Sequence, residues 1–168
     1  MAKLAISVII DYGIKDFPLD MENLCTRMGF KLVPYSLYEE KKDLLMKKSK
    51  DGFFVMSKDC IFSIVYNDRY GELWNEARKN QTLGHEIKHI LDGDVDDSTD
   101  DLCEYFSKYL RCPIPYVIYK GYDSSFELVR DFGISYEQAR IVMSNVQNRK
   151  RKYGKSILDM NLSYLNTY

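Results

Sequence analysis

The chain has 168 residues, 45% of them hydrophobic and 14% aromatic, and its 24 Lys and Arg nearly cancel its 25 Asp and Glu. That length suits one compact domain with a core; the apolar content excludes a disordered chain, and the charge balance excludes the overall basic character of a protein that coats nucleic acid. No apolar run approaches the roughly 20 residues of a membrane helix, and "MAKLAISVIID" runs into Asp11 without a small-residue cleavage site, so a cytoplasmic protein with no membrane contact is expected.

The first third alternates in type. "AISVII" is a short apolar run, and "FPLDMENLCTRMGF" places Leu19, Leu24 and Met28 at roughly helical spacing, with Gly29 as the stop. "KLVPY" is extended, because Pro34 disfavours helix at the residue before it. "SLYEEKKDLLMKKSKDG" follows as a charged, solvated helix ending near Gly52. "FFVMSKDCIFSIVYND" sets two β-branched and aromatic runs about the turn "SKD", the signature of a hairpin.

From about Gly71 the pattern turns helical. Leu73, Trp74, Ala77, Leu83, Ile87, Ile90 and Leu91 fall on or near one stripe until Gly93. The acidic connection "DGDVDDSTDD" leads to a second helix, "DLCEYFSKYLRC", with Leu102, Phe106, Tyr109 and Leu110 as its apolar side and "PIP" as its terminator. "YVIYK" reads as extended. "SSFELVRDFGISYEQARIVMSNVQNRKRKYG" gives two helices joined at Gly133, the second opened by a Ser135-x-x-Gln138 capping box. With no repeats or linkers, residues 1–168 read as a single domain, with 123–168 as its C-terminal helical portion. The four cysteines, Cys25, Cys60, Cys103 and Cys112, form no C-x-x-C pair and fit reduced thiols serving as small core residues.

The chemistry concentrates in "GHEIKHILDG". His85 and His89, the only histidines of the chain, lie four apart with Glu86 next to the first. In H-E-x-x-H on a helix, both imidazoles stand on one face and reach a single zinc ion, while the glutamate faces the open coordination position as a base. The competing reading is a solvated helix face holding two histidines by accident. Three features weigh against it: all the histidine is spent here, a hairpin that could accept an extended peptide precedes the motif, and a carboxylate-rich helix follows it.

These blocks, in this order, resemble the ImmA/IrrE family of zinc metallopeptidases. The likeness is carried by "GHEIKHILDGDVDDSTDDLCEYFSKYLRCP", together with "FPLDMENLCTRMGFKLVPYS" and "FGISYEQAR", and covers nearly the full length. It implies a zincin-like, gluzincin-like hydrolase in the cytoplasm, with a protein substrate, a transcriptional repressor of a phage or mobile element. Aligned on Phe106-Ser107, where the family has Phe-Ala, Asp100 stands at the first glutamate of the family's Glu-x-Glu-Ala-Asn, Leu102 at the second and Glu104 at the asparagine. Asp100 is therefore preferred as third zinc ligand, with Glu104 orienting a histidine; the reverse assignment stays open. An Asp ligand, one carbon shorter, demands a closer helix. Lys88 replaces a common Gly and Gly84 a common Ala, the second costing the helix about 1 kcal/mol; Lys88 places a long cation near the motif.

Tyr66 and Tyr109 are the candidates for an oxyanion donor, since no third histidine exists to supply one. "NRKRKYGK", residues 148–155, invites a helix-turn-helix reading but equally suits a solvated helix C-terminus, and DNA binding is not expected. The acidic connection lacks the glycine and glutamate of a calcium loop. The expected fold is α+β: a small, mostly antiparallel sheet packed on the zinc-binding and acidic helices. The expected activity is zinc-dependent peptide hydrolysis by Glu86 with the metal on His85, His89 and a carboxylate. The alternatives are a non-hydrolytic regulator-binding module of the same fold and a DNA-binding regulator using the C-terminal helices.

Overall fold

The computed structural model describes residues 1–72, 75–93 and 99–154. Leu73, Trp74, most of the acidic connection and Lys155 of the basic run lie outside the described residues. Contacts group the chain into two compact units, Met1–Leu110 and Arg111–Tyr168. Among the described residues no helix is long and apolar enough to cross a membrane.

The first unit opens with α1 (Ala2–Asp11) and α2 (Met21–Arg27). The apolar run "AISVII" is helical, with Ala5, Val8 and Ile9 buried at i, i+3 and i+4. Asp20 caps α2 by accepting from the Asn23 N–H at 2.9 Å. β1 (Lys31–Pro34) comes next, then a 3-10 stretch over Tyr35–Lys41 and α3 (Lys42–Lys48), which buries no residue, as its charged sequence predicts.

β2 (Gly52–Met56) and β3 (Phe62–Tyr66) form the expected hairpin. The turn closes through Ser57 N–H to the Ile61 carbonyl and Ile61 N–H to the Ser57 hydroxyl, with Cys60 at φ 58°. The sheet has three strands in the order β1-β3-β2, and it is mixed. β2 and β3 run antiparallel, Phe54 opposite Ile64; β1 lies parallel to β3, Leu32 opposite Ile64. The mostly antiparallel expectation is corrected by β1: the helical segment between β1 and β2 returns the chain, so β1 joins the hairpin's inner strand with the same direction. β2 is left at the edge.

α4 (Glu76–Asp92) packs on β2, β3 and α2. It begins at Glu76 and not near Gly71, because the Asn75 side chain caps it, accepting from the Arg78 N–H at 2.8 Å, while Gly71 sits at φ 93°. Gly93, at φ 66°, ends it. Leu83 and Ile87 are fully buried and Ile90 nearly so, each such side chain contributing about 1.5–3 kcal/mol of burial. Leu91, assigned to the same stripe, is exposed, being 100° round from Ile90.

α5 (Asp100–Arg111) buries Cys103, Phe106, Ser107 and Leu110, an i, i+3, i+4, i+7 face. Leu102, expected on that face, is 100° off it and exposed.

The second unit holds α6 (Ile114–Lys120), α7 (Ser125–Phe132) and α8 (Tyr136–Tyr153). "YVIYK" is helical and not extended. Pro113 stops α5 and, as N-cap, starts α6, with Pro115 in its first turn, where a missing N–H costs nothing. The reciprocal capping box belongs to α7, between Ser124 and Glu127; at α8, Ser135 accepts from the Gln138 N–H. α8 packs on α6 and α7 through Ala139, Val142, Met143 and Val146. Its last turn carries Lys150, Arg151 and Lys152, which the helix dipole favours at that end.

Candidate metal centre

α4 presents three faces to three surroundings. Leu83, Ile87 and Ile90 enter the core, Glu86 turns toward β2, and Gly84 and Lys88 turn toward α5. His85 and His89, one turn apart, stand between the last two faces. Their Nε2 atoms are 3.1 Å apart and their ring centroids 4.8 Å. The Phe54 ring stacks near His89, with centroids 6.3 Å apart at 26°. Burial and the neighbouring His89 hold the His85 imidazolium below its usual range against the pull of Asp100 and Glu104, so His85 is neutral at pH 7, as a metal ligand must be.

The first turn of α5 completes the cluster. Asp100 Oδ1 is 3.5 Å from His85 Nε2 and 3.3 Å from His89 Nε2. Donors at bonds of about 2.0–2.1 Å around a tetrahedral zinc are separated by about 3.3 Å. The three edges of the His85, His89 and Asp100 triangle match that spacing. Glu104 takes a different place: its Oε1 faces His85 Nδ1 at 3.9 Å, while Oε2 accepts from Gln81 Nε2 at 2.9 Å and pairs with Lys108 at 3.1 Å. It thus lies on the side of the ring nitrogen away from the donor triangle, at ion-pair and not hydrogen-bond distance.

Cys103, a reduced buried thiol, belongs to the same neighbourhood. His85, His89 and Cys103 form a group whose donor atoms lie within 4.8 Å of one another and could hold a metal ion. Asp100, at 3.3 and 3.5 Å from the two Nε2 atoms, and Cys103 are the two third donors this neighbourhood offers. Burial raises the Cys103 thiol's pKa, offset by a hydrogen bond with Thr99 and by Lys88.

Glu86 is 7% exposed and lies on the sheet side. Burial pushes its carboxyl up to about 7, opposed by His89 and by a hydrogen bond from the Phe54 backbone N–H. That N–H belongs to the edge strand and is turned from β3 to the carboxylate.

The remaining sequence candidates fare differently. The Tyr66 hydroxyl donates to Glu22 Oε1 at 3.0 Å, in a cluster with Lys79, and is committed there. Tyr109 is buried on α5, stacked on Tyr105, and nine residues along the helix place it about 13 Å along the axis from Asp100. Neither hydroxyl is presented to the histidine pair. Lys88 is corrected as well: it is 0% exposed and paired with Asp92, one turn on, so it belongs to an ion pair within α4 and is not a cation offered to a substrate.

Sequence reading missed Phe54, Gln81 and Ser107. Phe54 supplies a backbone donor and a ring, neither of which has a sequence signature. Gln81 does carry a signal, one turn before His85, but its partner Glu104 lies on another helix. A scan against protein-family models and searches of curated proteins and of solved structures find no match to this chain.

Proposed function

We propose that this chain is a zinc-dependent endopeptidase of the ImmA/IrrE type, with His85, His89 and Asp100 holding the ion and Glu86 as the general base. The observation that carries the reading is the donor triangle of 3.1, 3.3 and 3.5 Å, placed beside a buried carboxyl poised near neutrality. Three protein donors leave a fourth position open, the arrangement of a catalytic and not a structural zinc. The ion, when bound, supplies Lewis acidity toward water and toward the scissile carbonyl.

The protein's own groups do the rest. Glu86, buried beside the histidine pair, takes the proton of the attacking water and passes it to the leaving amine. The Phe54 N–H keeps its carboxylate directed. Glu104, held by Gln81 and Lys108, orients His85. β2 lies at the edge of the sheet, where the backbone beyond Phe54, whose own N–H is taken by Glu86, can meet an extended peptide by strand addition, which suits a protein substrate; the family likeness of the sequence supports a transcriptional repressor of a phage or mobile element in that role.

A second reading rests on Cys103. If its thiolate joined His85, His89 and Asp100, four protein donors would close the site, and the zinc would be structural in a regulator-binding module. One pair of measurements separates the two: zinc content of the purified protein, and cleavage of a protein substrate by wild type and Glu86→Gln. The peptidase reading expects retained zinc and a loss of about 10²–10⁴-fold in turnover. Equal turnover by the variant would sink it, and loss of zinc from Cys103→Ser would favour the closed site.

A further inference from the structure

Gly84 stands where α4 and α5 come closest. A Cβ built on it would lie 2.9 Å from Ser107 Cβ and 3.2 Å from Ser107 Cα, and closer still to the hydroxyl. The first two atoms are fixed to the α5 backbone, so no rotamer change relieves them. In the space left by the missing side chain, the Ser107 hydroxyl donates to the Gln81 carbonyl at 2.8 Å. Ser107 lies seven residues, two turns, beyond Asp100, and so on the same face of α5.

This contact therefore sets the distance at which Asp100 is presented to the imidazoles. Aspartate is the shortest carboxylate side chain, and at the observed helix separation its Oδ1 already sits at 3.3 and 3.5 Å from the two Nε2 atoms. Ordinary carbon contacts need about 3.5 Å or more, so a Cβ on residue 84 would push Ser107 outward by about 0.5 Å. Ligand distances tolerate only about 0.2 Å. The displacement exceeds the tolerance.

We infer that Gly84 is a positioning residue for the metal centre: the missing side chain draws α5 in far enough for a short aspartate, and not a longer glutamate, to serve as third ligand. The inference rests on the metal-binding reading above. It differs from a mere packing role in one consequence, that lengthening the carboxylate should compensate for separating the helices.

The test is chelator-competition titration of the full-length protein with zinc, and with cobalt as a spectroscopic substitute. Gly84→Ala should weaken affinity by about 10 to 100-fold, the size of loss seen when a ligand's support is removed. Gly84→Ala/Asp100→Glu should recover most of that loss, whereas Asp100→Glu alone should gain nothing. Should Gly84→Ala not fold by circular dichroism, Gly84→Ala/Ser107→Gly returns the lost space from the other helix and should bind metal again. Wild type that takes up neither ion overturns the metal reading itself. Wild type that binds, with Gly84→Ala binding equally well or with no rescue by the longer carboxylate in a folded variant, overturns the role of Gly84 and leaves the metal reading standing.

Discussion

The two flanks of α4 both approach their neighbours at a glycine, Gly52 of β2 on the sheet side and Gly84 on the α5 side, yet they hold different things. On the sheet side a Cβ at Gly52 would meet Thr82 Cγ2 at 2.8 Å and the Val65 carbonyl at 3.0 Å, and the group held in place is the proposed base, Glu86, by a backbone N–H. On the α5 side the close contact is Gly84 on Ser107, and the groups held are the proposed ligand, Asp100, and its neighbour, Glu104. A backbone donor in a paired strand keeps its position through many side-chain changes. A side chain near the start of a helix moves with that helix, so the α5 flank is the one that small changes should disturb.

The largest effect is expected where the two flanks meet. His89 touches both, stacked near Phe54 and 3.3 Å from Asp100, and His89→Ala should abolish stoichiometric zinc and activity together, since two remaining donors rarely hold zinc tightly. Full zinc after dialysis would break the comparison at its centre.

Next comes the division of labour on α5. Asp100→Ala should lower zinc affinity far more than Glu104→Ala, for which the loss should be about 10 to 100-fold. Chelator titration gives the order, and the reverse order would make Glu104 the ligand. The sheet flank should respond differently: Gly52→Ala should cost about 1–3 kcal/mol of folding stability through overpacking while leaving zinc affinity near wild type. Thr82→Ser in that background should restore part of the stability, as urea denaturation would measure.

The smallest effect concerns Lys88. Its ammonium is wholly buried, but its partner Asp92 is 35% exposed on the side chain and can hydrate if left alone. Removing the buried charge without stranding a second one should be neutral or stabilising, and Lys88→Met is expected to raise stability by about 1 kcal/mol with zinc affinity unchanged. A loss of several kcal/mol would show that the buried charge of Lys88 is needed in the fold.

The sequence alone determined the features that depend on neighbours along the chain. The histidine pair at i and i+4, the hairpin about Ser57–Asp59, the stop at Gly93 and the two helices meeting at Gly133 follow from periodicity and from local backbone preferences, which tertiary packing did not override here. The same rules failed at "YVIYK", where prolines read as terminators also begin a helix, and at Leu91 and Leu102, where apolar character was taken for burial.

Contacts between segments far apart in the chain were decided by the tertiary structure. The parallel pairing of β1 needs a return through a helical segment whose geometry no residue spells out. Periodicity brought Asp100 and Glu104 to one face of α5, but which of them faces the Nε2 atoms depends on the distance between helices. That distance is set by a glycine which, read by itself, only weakens its own helix. Lys88 likewise looks solvated until α5 and Asp92 enclose it, because burial belongs to the packed assembly of elements and not to any one of them.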